Sequence, residues 1–200
     1  MPVLAGRNRL PGKSGEMDPR GISFRRLRAS DLRLMRRWLN TAHVRRWWYA
    51  EGTSNTEIEE HYLPASEGRE ATKLFLILYE GEPPIGFIQS YRISAKDDET
   101  YAGLVDVEDS AGPDLFIGDP EYLYRGLGRH VIRRFLFEHV FSEPGIAVCI
   151  TGPEPKNTAA IRAYEKAGFR FFKTIQVPGE PEPEYLMRLS RGEFEGDRRG

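Results

Sequence analysis

The stretch Asp114–Arg129 constrains the fold more than any other part of the chain. It reads Asp-Leu-Phe-Ile-Gly-Asp-Pro-Glu-Tyr-Leu-Tyr-Arg-Gly-Leu-Gly-Arg. An apolar strand over Leu115–Ile117 is expected to end at Gly118 and Pro120. A short loop then leads to Arg125-Gly126-Leu127-Gly128-Arg129, and the apolar periodicity beyond it predicts a helix from about His130 to Phe141. Strand, glycine loop and helix in that order gather unpaired backbone N–H groups at the positive end of a helix dipole, which attracts phosphate. Gly126 and Gly128 permit close backbone approach to an anion, and Arg125 and Arg129 add charge.

The flanking segments read as alternating strands and helices. Ile22–Arg28 begins with the apolar–polar alternation of a half-buried strand, and Ser30 or Asp31 can cap a helix to about Asn40. A second helix starts at Ser54 or Thr56 and is expected to stop at Pro64. Thr72–Glu80 and Ile85–Ile93 predict a hairpin turned at Gly81-Glu82-Pro83-Pro84. Gln89 and Tyr91 lie two apart and so share one strand face. Gly145–Thr151 predicts a buried strand, Asn157 can cap a helix ending near Ala167-Gly168, and Phe169–Val177 and Glu184–Leu189 close the sheet. The dense cluster Arg45-Arg46-Trp47-Trp48-Tyr49 reads as a hydrophobic lid or as the aromatic wall of a pocket. Lys96–Asp109 is polar and acidic, a solvated loop or a negative rim for a cationic ligand.

Two of these motifs together carry a family likeness. Pro120-Glu121-Tyr122-x-x-Arg125-Gly126-Leu127-Gly128, followed by Asn157-Thr-Ala-Ala-Ile-Arg-Ala-Tyr164-Glu-Lys-Ala-Gly-Phe169, resembles the acyl-CoA-binding core of the GNAT superfamily of N-acetyltransferases. Trp47-Trp48, His61-Tyr62-Leu63-Pro64, Gly81 to Gly86, Gln89-Ser90-Tyr91 and Asp114 extend the likeness to its aminoglycoside 6′-N-acetyltransferase branch. The resemblance spans residues 22 to 190. It implies one α/β domain, a mixed and mostly antiparallel sheet splayed at its central strand to admit acetyl-CoA, with helices on both faces. The implied reaction is direct acetylation of the 6′-amino group of aminoglycosides, an antibiotic-resistance activity. Siderophore-building N-acyltransferases share much of the pattern, so acylation of a hydroxylysine-type or polyamine acceptor stays open. So does a non-catalytic acyl-CoA-binding module.

Residue roles follow from the same resemblance. Asp114 would take a proton from the acceptor amine, and Tyr164 would give one to the departing thiolate. Phe116, Ile117 and Gly118 would pair with the pantetheine arm as an added strand, and Asn157 would hydrogen-bond it. Tyr124, Arg125, Gly126, Leu127, Gly128 and Arg129 would hold the phosphates. Trp48, Gln89, Tyr91 and one or both of Asp98 and Glu99 would meet the acceptor. The chain departs from the pattern at two positions. Leu123 stands where the superfamily has glutamine or arginine, and Gly152 where the aminoglycoside branch often has aspartate, with Glu154 the compensating carboxylate that sequence offers.

Composition bounds the rest. A chain of 200 residues suits one core, and a net charge of −1 gives no electrostatic case for nucleic acid or a membrane surface. The lone Cys149 sits in the apolar run Ile146–Ile150 and reads as a buried strand residue, in keeping with a reducing cytoplasm. No His or Cys spacing implies a metal. Residues 1–20 are expected to form a disordered extension, with Met17 a second candidate start; residues 21–191 form the domain and 192–200 a flexible tail.

Overall fold

The middle strands of the sheet are apolar on both sides, because helices cover both faces. The computed structural model describes residues 17–48, 52–81, 83–93, 109–177 and 181–197. One seven-stranded sheet holds β1 (Ile22–Arg26), β2 (Lys73–Tyr79), β3 (Pro84–Ile93), β4 (Ser110–Ile117), β5 (Val148–Thr151), β6 (Arg170–Ile175) and β7 (Glu184–Ser190). Its spatial order is β1-β2-β3-β4-β5-β7-β6. Every neighbouring pair is antiparallel except β4–β5. That parallel pair is in register only at Ser110↔Val148 and Ala111↔Cys149, after which β4 runs on to Ile117 with no further pairing to β5. The splayed mixed sheet expected from the sequence is the observed one.

Helices α1 (Leu32–Leu39), α2 (Ala42–Arg45) and α3 (Asn55–Ser66) cover one face. Met35, Trp38, Ile58 and Tyr62 bury themselves there against Leu74, Leu76, Phe87 and Phe116. Helices α4 (Leu127–Phe135) and α5 (Thr158–Ala167) cover the other, packing Val131, Phe135, Tyr164 and Ala167 with Phe75, Ile77 and Cys149. Alternate residues of β2 thus feed two separate cores, which is why that strand reads as a continuous apolar run. A third cluster, Ile93, Ile150, Ile175, Val177 and Leu186, fills the far half of the sheet.

Several boundaries differ from expectation. Described structure is present upstream of residue 21: Met17 is 2% exposed within the α4 core, and Asp18 caps the 3-10 turn Pro19–Gly21. Residues expected to belong to the tail form a helix instead. Ser190 and Glu193 form a capping box for α6 (Arg191–Gly196), and Phe194 is 3% exposed, since its ring completes the same core. Pro64 lies inside α3 rather than ending it. Its missing N–H removes one helical bond, while Glu67 N and Arg69 N still bond to Leu63 O and Pro64 O. Helix α4 starts at Leu127, three residues before His130, and its last turn widens to a π turn over Leu136–Val140, closed by Phe141 N to Leu136 O at 2.7 Å. Strand β4 begins at Ser110, well upstream of Leu115.

Candidate active site

The site forms where β4 and β5 part. Asp114 lies directly across from Gln89 on β3, and Gln89 Nε2 donates to Asp114 Oδ2 at 3.1 Å. The Tyr91 hydroxyl bonds to the same carboxylate. Tyr91 reaches it by lying over Gly112, where a β-carbon would stand 2.7 Å from Tyr91 Cζ. Asp114 keeps a minor part of its surface exposed, yet protein surrounds the carboxyl. Loss of hydration therefore pushes its pKa above the ordinary carboxylate range, and the bonds from Gln89 and Tyr91 pull it partway back. Two neutral donors on one buried carboxylate fix its orientation without neutralising it.

Tyr164 approaches from the opposite face. Its hydroxyl donates to Pro113 O at 3.1 Å, and Thr151 Oγ1 reaches the same carbonyl at 3.5 Å. In a strand the N–H and C=O of one residue point to the same side. The Pro113 carbonyl points away from β3, so its missing N–H also falls on the open side and costs no ladder bond. A proline in mid-strand cannot donate to β5, which favours the parting of the strands there. Burial, then the nearby Asp114 carboxylate, raises the Tyr164 phenol, which stays protonated at neutral pH. Cys149 is fully buried and its thiol pushed up by the same loss of hydration, so it packs, as the sequence suggested.

The strand edge differs in detail from expectation. Gly118 N bonds to Ile85 O at 2.9 Å, so Gly118 turns its backbone toward β3, and by alternation so does Phe116. The open edge is presented by Leu115 and Ile117. Of the three residues expected to pair with a pantetheine arm, only Ile117 faces the opening. His43 Nε2 lies 3.1 Å from Ile117 O, a contact no motif announced. Gly118 is needed for another reason, since the Trp38 ring occupies the place of a β-carbon there.

At the helix start, Gly126 has φ 76° and caps α4 in the left-handed conformation, and Tyr124 enters the turn with φ 59° and its side chain 92% exposed. The first backbone N–H groups of α4, from Leu127 onward, follow this turn, with Arg125 and Arg129 beside them. Gly128 serves packing as well: a β-carbon there would stand 3.1 Å from Ala163 Cβ on α5. Asn157 caps α5 through Oδ1, which accepts from Ala160 N at 3.2 Å. Its amide nitrogen takes no part in that cap.

Trp48 packs against the core on the α1–α3 face. Its ring meets Phe116 edge-on at 5.0 Å and its Nε1 donates to the Tyr62 hydroxyl at 3.0 Å. A cavity of about 410 Å3 opens beyond Tyr62, lined also by Gly52, Thr53, Glu57, Glu60 and His61. Asp114 and Tyr164 do not line it; both lie at the strand opening. Asp98 and Glu99 lie outside the described residues. Among the described residues no three His, Cys, Asp or Glu side chains gather as a metal site, and no helix is long and apolar enough to cross a membrane.

Comparison with known proteins agrees with this fold. A family model described as an acetyltransferase (GNAT) domain matches residues 28–177. An aminoglycoside N(6′)-acetyltransferase type 1 of Serratia marcescens is 33% identical over 89% of this chain and 87% of its own length. The solved structure of AAC(6′)-Ib with parmomycin and acetyl-CoA superposes with a TM-score of 0.79 at 31% identity, covering 89% of this chain and 98% of that one. The same enzyme with coenzyme A and kanamycin gives 0.77 at 31% identity, over 88% and 99%.

Proposed function

Because the chain belongs to the GNAT acetyltransferase family, we propose that it acetylates the 6′-amino group of aminoglycosides, drawing on acetyl-CoA by direct transfer in a ternary complex. The observation that carries the reading is Asp114, held by Gln89 and Tyr91 at the mouth of the β4–β5 opening, with the Tyr164 hydroxyl on the adjacent carbonyl. The residues fit acetyl-CoA: the opening exposes the Leu115–Ile117 edge, and the left-handed turn at Gly126 leads into the α4 N-terminus, a phosphate cradle. Acetyl-CoA supplies the thioester carbonyl that the amine attacks.

The chain's own residues do the rest. An aliphatic amine is mostly protonated at neutral pH, so Asp114 accepts its proton directly or through water and frees the lone pair. A carboxyl raised by burial is a better base than an ordinary one. Tyr164 donates a hydrogen bond, and then its proton, to the departing sulfur as charge develops there. Its phenol lies above a thiol's pKa of about 8.5, so the transfer follows the build-up of charge rather than preceding it. Trp48 and Phe116 exclude water from the same face.

The test is thiol release from acetyl-CoA against kanamycin, tobramycin and N6-hydroxylysine, with Asp114→Ala and Tyr164→Phe alongside. Turnover on the aminoglycosides, lost or strongly reduced in both variants, is expected. Turnover on hydroxylysine alone moves the chain to another acceptor class, and coenzyme A binding without any turnover makes it a binding module.

A further inference from the structure

The geometry points to Glu184 as a specificity-determining carboxylate for a second ammonium group of the acceptor, in the space above Gly152. The inference rests on the acceptor being a polycationic amine, as proposed above. Glu184 opens β7, and Tyr185 N bonds to Pro153 O at 3.0 Å, which ties the start of that strand to the bend after β5. A β-carbon at residue 152 would collide with Glu184 Oε2 and would stand 3.0 Å from both Glu184 Cδ and Leu186 Cδ2. The glycine is therefore the floor on which this carboxylate rests. Glu154, the carboxylate nearest in sequence, is not the group that covers it.

The face is the right one. Gly152 follows Ile150 by two residues and Glu184 precedes Leu186 by two, so both share the face of the third core cluster. Tyr91 packs against that same cluster while bonding Asp114. Thr151, between Ile150 and Gly152, reaches the Pro113 carbonyl beside Asp114. The Glu184 carboxylate thus borders the cleft that holds the base, half-buried, where a charge is screened less than on open surface. An acceptor whose reacting amine meets Asp114, and which carries a further ammonium toward the start of β7, would bring that cation to Glu184.

Glu184→Gln keeps the shape and removes the charge. Steady-state kinetics with kanamycin should show an acceptor KM raised about tenfold or more, with kcat within about twofold and the KM for acetyl-CoA unchanged. A monoamine acceptor should show no change. Gly152→Asp/Glu184→Ala, which returns a carboxylate to the same space from the other strand, should recover most of the lost affinity. An acceptor KM unchanged in Glu184→Gln overturns the assignment, as does an equal rise for monoamine and polyamine, or a drop in melting temperature with KM intact. If the wild type ignores aminoglycosides yet acetylates spermidine, the proposed function falls while the same comparison on spermidine still decides the role of Glu184. A wild type that acetylates no polyamine overturns both.

Discussion

Asp114 titrates under opposed influences, and their balance makes a kinetic signature. Burial raises its carboxyl, while Gln89 and Tyr91 stabilise the ionised form and lower it, with burial the larger effect. If Asp114 is the base, it must be ionised to work, so kcat/KM for the acceptor should fall as pH drops through a pKa raised above the ordinary carboxylate value of about 3.9. Removing the donor in Gln89→Leu destabilises the charged form, so the acid limb should move to higher pH. Asp114→Asn should abolish the limb and lower kcat by about 10²–10⁴. A limb unmoved in Gln89→Leu would falsify the assignment of that limb to Asp114. Tyr164→Phe carries two consequences. It should lower kcat, and it should destabilise the fold by about 1–3 kcal/mol, because the buried Pro113 carbonyl loses its better donor. Urea midpoints alongside single-turnover rates separate the two.

Among the elements, the turn into α4 and its contact with α5 assign different work to two glycines that look alike in the sequence. Gly126 holds a left-handed conformation with open space around it, so Gly126→Ala should cost about 1–2 kcal/mol through backbone strain alone. That strain distorts the N–H cradle, so coenzyme A affinity measured by calorimetry should fall as well. Gly128 faces Ala163, so Gly128→Leu should push α4 off α5 and cost about 1–3 kcal/mol of stability by overpacking. A Gly128→Leu protein with full stability and weakened coenzyme A binding alone would reverse this division. The strand opening is likewise an element-scale device, combining two registered residue pairs, a proline facing the gap and a phenol holding its carbonyl.

Across the whole molecule, both ends of the described chain close one core. Met17 and Phe194 are distant in sequence yet belong to the same buried cluster as Val131 and Phe135. Phe194→Ala should therefore destabilise by about 3–5 kcal/mol and Met17→Ala by about 2–5 kcal/mol, read as shifts in denaturant midpoint with unchanged slope. Substitutions at a flexible tail would give neither. Coenzyme A at a hundredfold excess over its Kd should add about 2.7 kcal/mol to the wild type, since it binds only the folded chain.

Local pattern determined much of this protein. The alternation of Gln89 and Tyr91, the Asn157 cap, the strand–glycine–helix order and the spacing to Tyr164 are short-range facts, because helix and strand periods fix which side chains share a face. Tertiary structure decided what no spacing encodes. It turned the backbone edge so that Leu115 and Ile117, not Phe116 and Gly118, face the opening. It brought His43 to Ile117, Thr151 to Pro113 and Glu184 over Gly152, pairs that meet only across the assembled sheet. It also drew Met17 and Phe194 into the core, since a polar flank hides a single apolar residue from any periodicity until a packed surface exists to receive it.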